Sequence, residues 1–110
     1  MKPAHALILP LALLAAEAGA APAYAQVQPL LAKNNCLACH APDHKVVGPG
    51  YNEVAAKYKG RADAADYLAN KIRAGSVGAW GPVPMPPNPG VDAAAARTLA
   101  EWIASGAPAK

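Results

Sequence analysis

Five consecutive residues, Cys36-Leu37-Ala38-Cys39-His40, constrain this chain more than any other part of it. On a helical turn, two side chains three positions apart share one face and lie about 5–6 Å from each other. Two thiols so placed can add to both vinyl groups along one edge of a porphyrin. The next residue, His40, is then turned so that its imidazole reaches the iron from one side of the ring. C-x-x-C-H is the covalent haem attachment pattern. A chain carrying it is expected to wrap a flat apolar cofactor.

The rest of the composition calls for such a cofactor. The first 25 of the 110 residues read as a secretory signal peptide: Met1-Lys2, an apolar run of 11 residues from Ala6 to Ala16, then Ala23-Tyr24-Ala25 before Gln26. The run is shorter than the roughly 20 residues of a membrane span, and Pro10 interrupts it. Cleavage is expected after Ala25, with Ala18-Gly19-Ala20 as the lesser site, leaving residues 26–110 as one exported domain. A domain of that size, without Phe and rich in Ala, gains only marginal stability from side chains alone. A Cys36–Cys39 disulfide would close too short a loop to constrain the chain. A covalent porphyrin fills the centre instead.

Two other uses of the motif fit less well. Zinc needs four ligands, and His44 added to the motif makes a crowded set with no second C-x-x-C. A redox dithiol belongs in a βαβ context, and no stretch here alternates with period two. Helical periodicity runs throughout. Helices are expected over Val27–Asn35, with Pro29 in the first turn, over Tyr51–Lys59, over Ala62–Ala74, and from an Asp92 N-cap to Ser105. Gly75 to Gly90, with four glycines and five prolines, is expected to hold no regular element. The predicted class is all-α, four to five short helices wrapped around one covalently attached haem.

The iron needs a ligand on its other face. Met85 is the only methionine after Met1, set in Pro84-Met85-Pro86-Pro87-Asn88 and 45 residues from His40. A proline-rich loop has little conformational freedom and can hold a thioether on the far side of the ring. His44 is the rival, although four residues from His40 it tends towards the same side. Imidazole and thioether together close both axial positions, and thioether ligation raises the reduction potential. That suits an electron carrier rather than a catalyst.

Cys36-Leu37-Ala38-Cys39-His40-Ala41, Val47-Gly48-Pro49, Val54-Ala55-Ala56-Lys57, Gly75-Ser76, Trp80-Gly81-Pro82 and Pro84-Met85-Pro86-Pro87-Asn88 together resemble the small bacterial class I cytochromes of the c-551 type, over residues 26–105. The resemblance implies that the Pro49 carbonyl accepts from the proximal His40 ring. It implies that Trp80 donates to a haem propionate and that Asn88 braces the methionine loop. At Lys71 such proteins often carry an arginine near a propionate. Lysine offers a point charge rather than a planar fork, so a solvated surface role stays open there.

The implied activity is one-electron shuttling in the periplasm, between a membrane-bound donor and a terminal reductase or oxidase, by a monomer without a membrane anchor. A haem sensor or peroxidase-like enzyme is the alternative if Met85 is displaced, and a domain bound to one larger enzyme is a third. Residues 26–110 keep nine basic and six acidic side chains, still +3, which is too little and too dispersed for nucleic acid. Lys33, Lys45, Lys57, Lys59, Arg61 and Arg73 are candidates to surround an exposed haem edge, with Val46, Pro82, Val83 and Pro86 as its apolar ring. An ordinary solvated surface explains the basic residues equally well.

Overall fold

A computed structural model of the chain describes residues 2–6 and 20–110. Residues 7–16 of the expected leader run lie outside the described residues. The elements follow in the order α1 (Tyr24–Lys33), a one-turn 3₁₀ helix (Cys36–Ala38), α2 (Tyr51–Lys57), α3 (Ala64–Ala74), β1 (Ser76–Gly78), β2 (Gly81–Met85) and α4 (Ala93–Ala104). Among the described residues no helix is long and apolar enough to cross a membrane.

Helix α4 is the hub, packed against α1, α2 and α3. Asp92 starts it as expected, its Oδ1 accepting the Ala95 N–H at 2.7 Å. Ala96, Leu99, Ala100, Trp102 and Ile103 are buried along it. Ala95 is partly buried beside this stripe, which Ala100 widens because α4 is covered on more than one side. Trp102 is fully buried in one core cluster with Val27 and Leu31 of α1, its ring edge-on to Tyr51 of α2 at 5.4 Å, and its indole N–H is satisfied by the Pro108 carbonyl at 3.0 Å. Each such aliphatic or aromatic side chain contributes about 1.5–3 kcal/mol on burial.

The structure corrects three expectations. Helix α1 begins at Tyr24 rather than Val27, so Pro29 lies inside it instead of in its first turn. The extra turn is held by Tyr24 tilted against Trp102, ring centroids 6.0 Å apart, and by the Gln26 side chain accepting the Ala23 N–H at 2.8 Å. Helices α2 and α3 are each two residues shorter than their periodicity suggests, with Gly60 left-handed between them at φ +82°.

The third correction is a two-stranded antiparallel hairpin inside Gly75–Gly90, pairing Ser76 with Met85 and Gly78 with Gly81 across a register irregularity. Its turn, Ala79-Trp80, lies between Gly78 and Gly81, both at positive φ (80° and 113°). Prolines are tolerated because a two-stranded ribbon has only edge strands. The hairpin adds to the all-α frame without replacing it.

Candidate functional site

The helices and the hairpin enclose a cavity of about 700 Å³, within the range of cofactor pockets. Leu68, Ile72, Leu99 and Ile103 form its apolar floor. Cys36, Cys39 and His40 line one side, and Met85 lines it from the hairpin. Residues 45 positions apart in sequence therefore face one space.

Asn35, left-handed at φ 59°, turns the chain out of α1 into the 3₁₀ turn of Cys36–Ala38. The amides of Cys39 and His40 both donate to the Cys36 carbonyl, at 3.2 and 3.0 Å. This winds the two cysteines and the histidine into one compact turn. Both thiols are free. Burial pushes the Cys36 thiol up, partly offset by the neighbouring Tyr51 hydroxyl.

The next loop folds back on this turn. The amides of Gly48 and Val47 donate to the Cys39 carbonyl at 2.7 and 3.2 Å, and the Tyr51 amide donates to Ala41 at 2.9 Å. Pro49 is thereby brought over His40, and the His40 Nδ1–H donates to its carbonyl at 2.7 Å. With Nδ1 so engaged, Nε2 keeps its lone pair for a metal. Tyr51 stacks on the imidazole, centroids 4.9 Å apart and planes at 22°. Burial, followed by the Cys36 sulfur beside it, pushes the Tyr51 hydroxyl up, so this wall stays neutral.

Gly48 is part of the same construction. A Cβ there would stand 2.7 Å from the His40 Cε1, so only glycine lets the loop close on the ring. Gly48→Ala should tilt the imidazole and cost about 1–3 kcal/mol as an overpacked site, read as a lower denaturant midpoint. An unchanged midpoint would show that the loop yields freely.

On the hairpin side, Asn88 ties the segment after Met85 to the end of α3. Its side-chain amide donates to the Ile72 carbonyl at 2.9 Å, and its backbone N–H donates to Arg73 at 3.0 Å. Both acceptors are carbonyls of the last helical turn, which lack helical partners. Gly75 is buried at φ +75°, where a Cβ would overlap the Met85 carbonyl oxygen and stand 2.9 Å from the Pro86 carbonyl carbon. Asn88→Ala should lose about 1 kcal/mol and lower the Tm by about 4–8 °C, measured by thermal melting of the haem-loaded protein.

The remaining candidates lie at the cavity rim. Trp80 is partly exposed at the hairpin tip, and Lys71 is half-buried with its ammonium 5.3 Å from the Tyr67 ring centroid. The Tyr58 hydroxyl beside Tyr67 holds the Tyr67 hydroxyl below its ordinary value against the opposing effect of burial, with Lys71 and Arg61 adding to the lowering. His44 does not line the cavity; its Nδ1 pairs with the Asp43 carboxylate at 2.7 Å. Among the described residues no three His, Cys, Asp or Glu side chains gather as a metal site. Val46 and Val83 are exposed as expected of an apolar ring. Arg73 is engaged elsewhere, donating to the Val91 carbonyl at 3.1 Å, and Arg61 pairs with Asp63.

Reading the residues alone misses Tyr51 as the wall behind His40, and Gly48 and Gly75 as points of close approach. Tyr51 reads as an ordinary helix-face residue, and the two glycines as a loop and a helix stop. Their roles depend on contacts distant in sequence.

The residues present fit a haem: two sulfurs and an imidazole on one turn, a thioether from the hairpin, and apolar side chains lining the same space. The cytochrome c family model matches residues 24–107. Cytochrome c-552 of Nitrosomonas europaea is 57% identical over 81 residues, 73% of this chain and 79% of that protein. Cytochrome c-551 of Azotobacter vinelandii is 60% identical over 68 residues, 62% of this chain and 82% of that one. The crystal structure of the Nitrosomonas europaea cytochrome c552 superposes with a TM-score of 0.70 at 53% identity, covering 72% of this chain and 98% of that structure. The chain therefore belongs to the cytochrome c family, as a small class I electron-transfer protein with one covalent haem c and not as an enzyme.

Proposed function

We propose that the haem is joined through thioethers to Cys36 and Cys39 and held axially by His40 Nε2 and Met85 Sδ. The observation that carries this is the convergence of all four side chains on one 700 Å³ cavity, with His40 already oriented by Pro49 at 2.7 Å. The placement of His44, paired with Asp43 away from that cavity, favours Met85 as the distal ligand.

The haem supplies the one-electron chemistry at its iron. The chain's own residues then have distinct tasks. Pro49 fixes the His40 tautomer and strengthens its donation, while Gly48 and Tyr51 set the plane of the ring. Asn88 and Gly75 hold the Met85 segment against α3. Trp80 and Lys71 occupy the rim, where they would face the propionates. With His40 and Met85 both holding the haem, no position would be left open for a substrate, and little rearrangement would accompany a change of charge.

The carrier is proposed to work in the periplasm, between a membrane-bound donor and a terminal reductase or oxidase, after export and cleavage following Ala25. That cut would remove Tyr24 and Ala25 from α1 and leave Pro29 near the new first turn, where its missing N–H costs nothing. Val27 and Leu31, the buried residues of α1, would remain. An optically followed redox titration of the exported protein tests the assignment. One reversible one-electron transition of a low-spin haem with the Met–Fe(III) charge-transfer band supports it. A high-spin resting state overturns it.

A further inference from the structure

Lys57 closes α2 and faces the tip of the hairpin that ends in Met85. Its ammonium donates to the Ala79 carbonyl at 2.8 Å, across 22 positions of sequence. The same ammonium stands 4.3 Å from the centroid of the Trp80 ring. Ala79 and Trp80 are the whole turn between β1 and β2.

Hydrophobic burial holds little of this hairpin. Val77 on β1 is 86% exposed and Val83 on β2 is 61% exposed. Among the described residues the strands pack on each other and make no extended contact with a helix. At the Met85 end, Asn88 and the close approach of Gly75 tie the segment to α3. At the opposite end, a charge-assisted hydrogen bond and a cation–π contact converge from one side chain. Such contacts hold a geometry even where exposure limits their strength.

We propose that Lys57 is a positioning residue: it pins the Ala79-Trp80 tip over the cavity mouth and so restrains Met85 at the other end of β2. This rests on Met85 being the distal ligand. A lysine acting only as surface charge would alter the potential in a salt-dependent way. It would not alter how readily Met85 gives up its place.

The test uses the haem-loaded protein and imidazole as the competing ligand, titrated optically against the ferric form. Lys57→Ala should bind imidazole about fivefold more tightly than the parent, the size expected for a single exposed restraint. It should also shift the Trp80 indole N–H resonance of the ferrous protein. Lys57→Arg, which can donate and stack in the same place, should restore both. Met85→Ala sets the ceiling of affinity. If Met85→Ala binds much more tightly while Lys57→Ala stays at the parental value, the role of Lys57 is overturned alone, whatever the indole resonance does. If Met85→Ala binds no more tightly than the parent, the axial assignment fails and takes this proposal with it.

Discussion

Replacing both Cys36 and Cys39 by alanine is expected to give a colourless chain that does not fold compactly. Val27, Leu31, Leu99 and Trp102 form a real but small core, built around one helix with no phenylalanine in the chain. Beside it lies a space of about 700 Å³ whose floor is made of the same helices. A domain of this size gains only marginal stability from its side chains, and without the haem the apolar residues that line this space lose the partner they would pack against. Far-UV circular dichroism and size-exclusion elution of the double variant check this. A compact, helical, haem-free product would show that the polypeptide supports its own shape.

The same dependence explains what was legible in the residues. The spacing of Cys36, Cys39 and His40 carries its chemistry within one turn, so it could be read without a fold. The four helices were legible because their apolar faces repeat locally, and Asp92 marks the start of α4 by its own side chain. The hairpin was not. Its pairing of Ser76 with Met85 leaves no period-two apolar trace, since Val77 and Val83 face solvent and Pro82 and Pro84 mask the strand. The early start of α1 escaped for a related reason, because Tyr24 is secured by Trp102, 78 positions away. Gly48 and Gly75 likewise show their purpose only when His40 and the Met85 carbonyl lie against them. Local periodicity reports helices; close approach between distant segments has no local signature.

Replacing Met85 by alanine should leave the fold largely in place and change the redox behaviour most. Met85 is half-buried at the end of β2, outside the core cluster, and the surrounding segment stays tied through Asn88 to the carbonyls of Ile72 and Arg73. Its loss therefore removes a ligand more than a packing element. A neutral thioether favours the ferrous state and raises the potential. Without it the potential should fall by on the order of 100 mV, within the roughly 0.8 V over which axial ligands tune haem. Since about 59 mV is tenfold for one electron, the balance between oxidised and reduced protein would move by well over tenfold. His44→Ala is the matching control. Its imidazole pairs with Asp43 outside the cavity, so removing it should leave the potential close to the parental value. Were the two variants to exchange these outcomes, the ligand opposite His40 would be the histidine, and the Asp43–His44 loop would have to swing into the cavity to supply it.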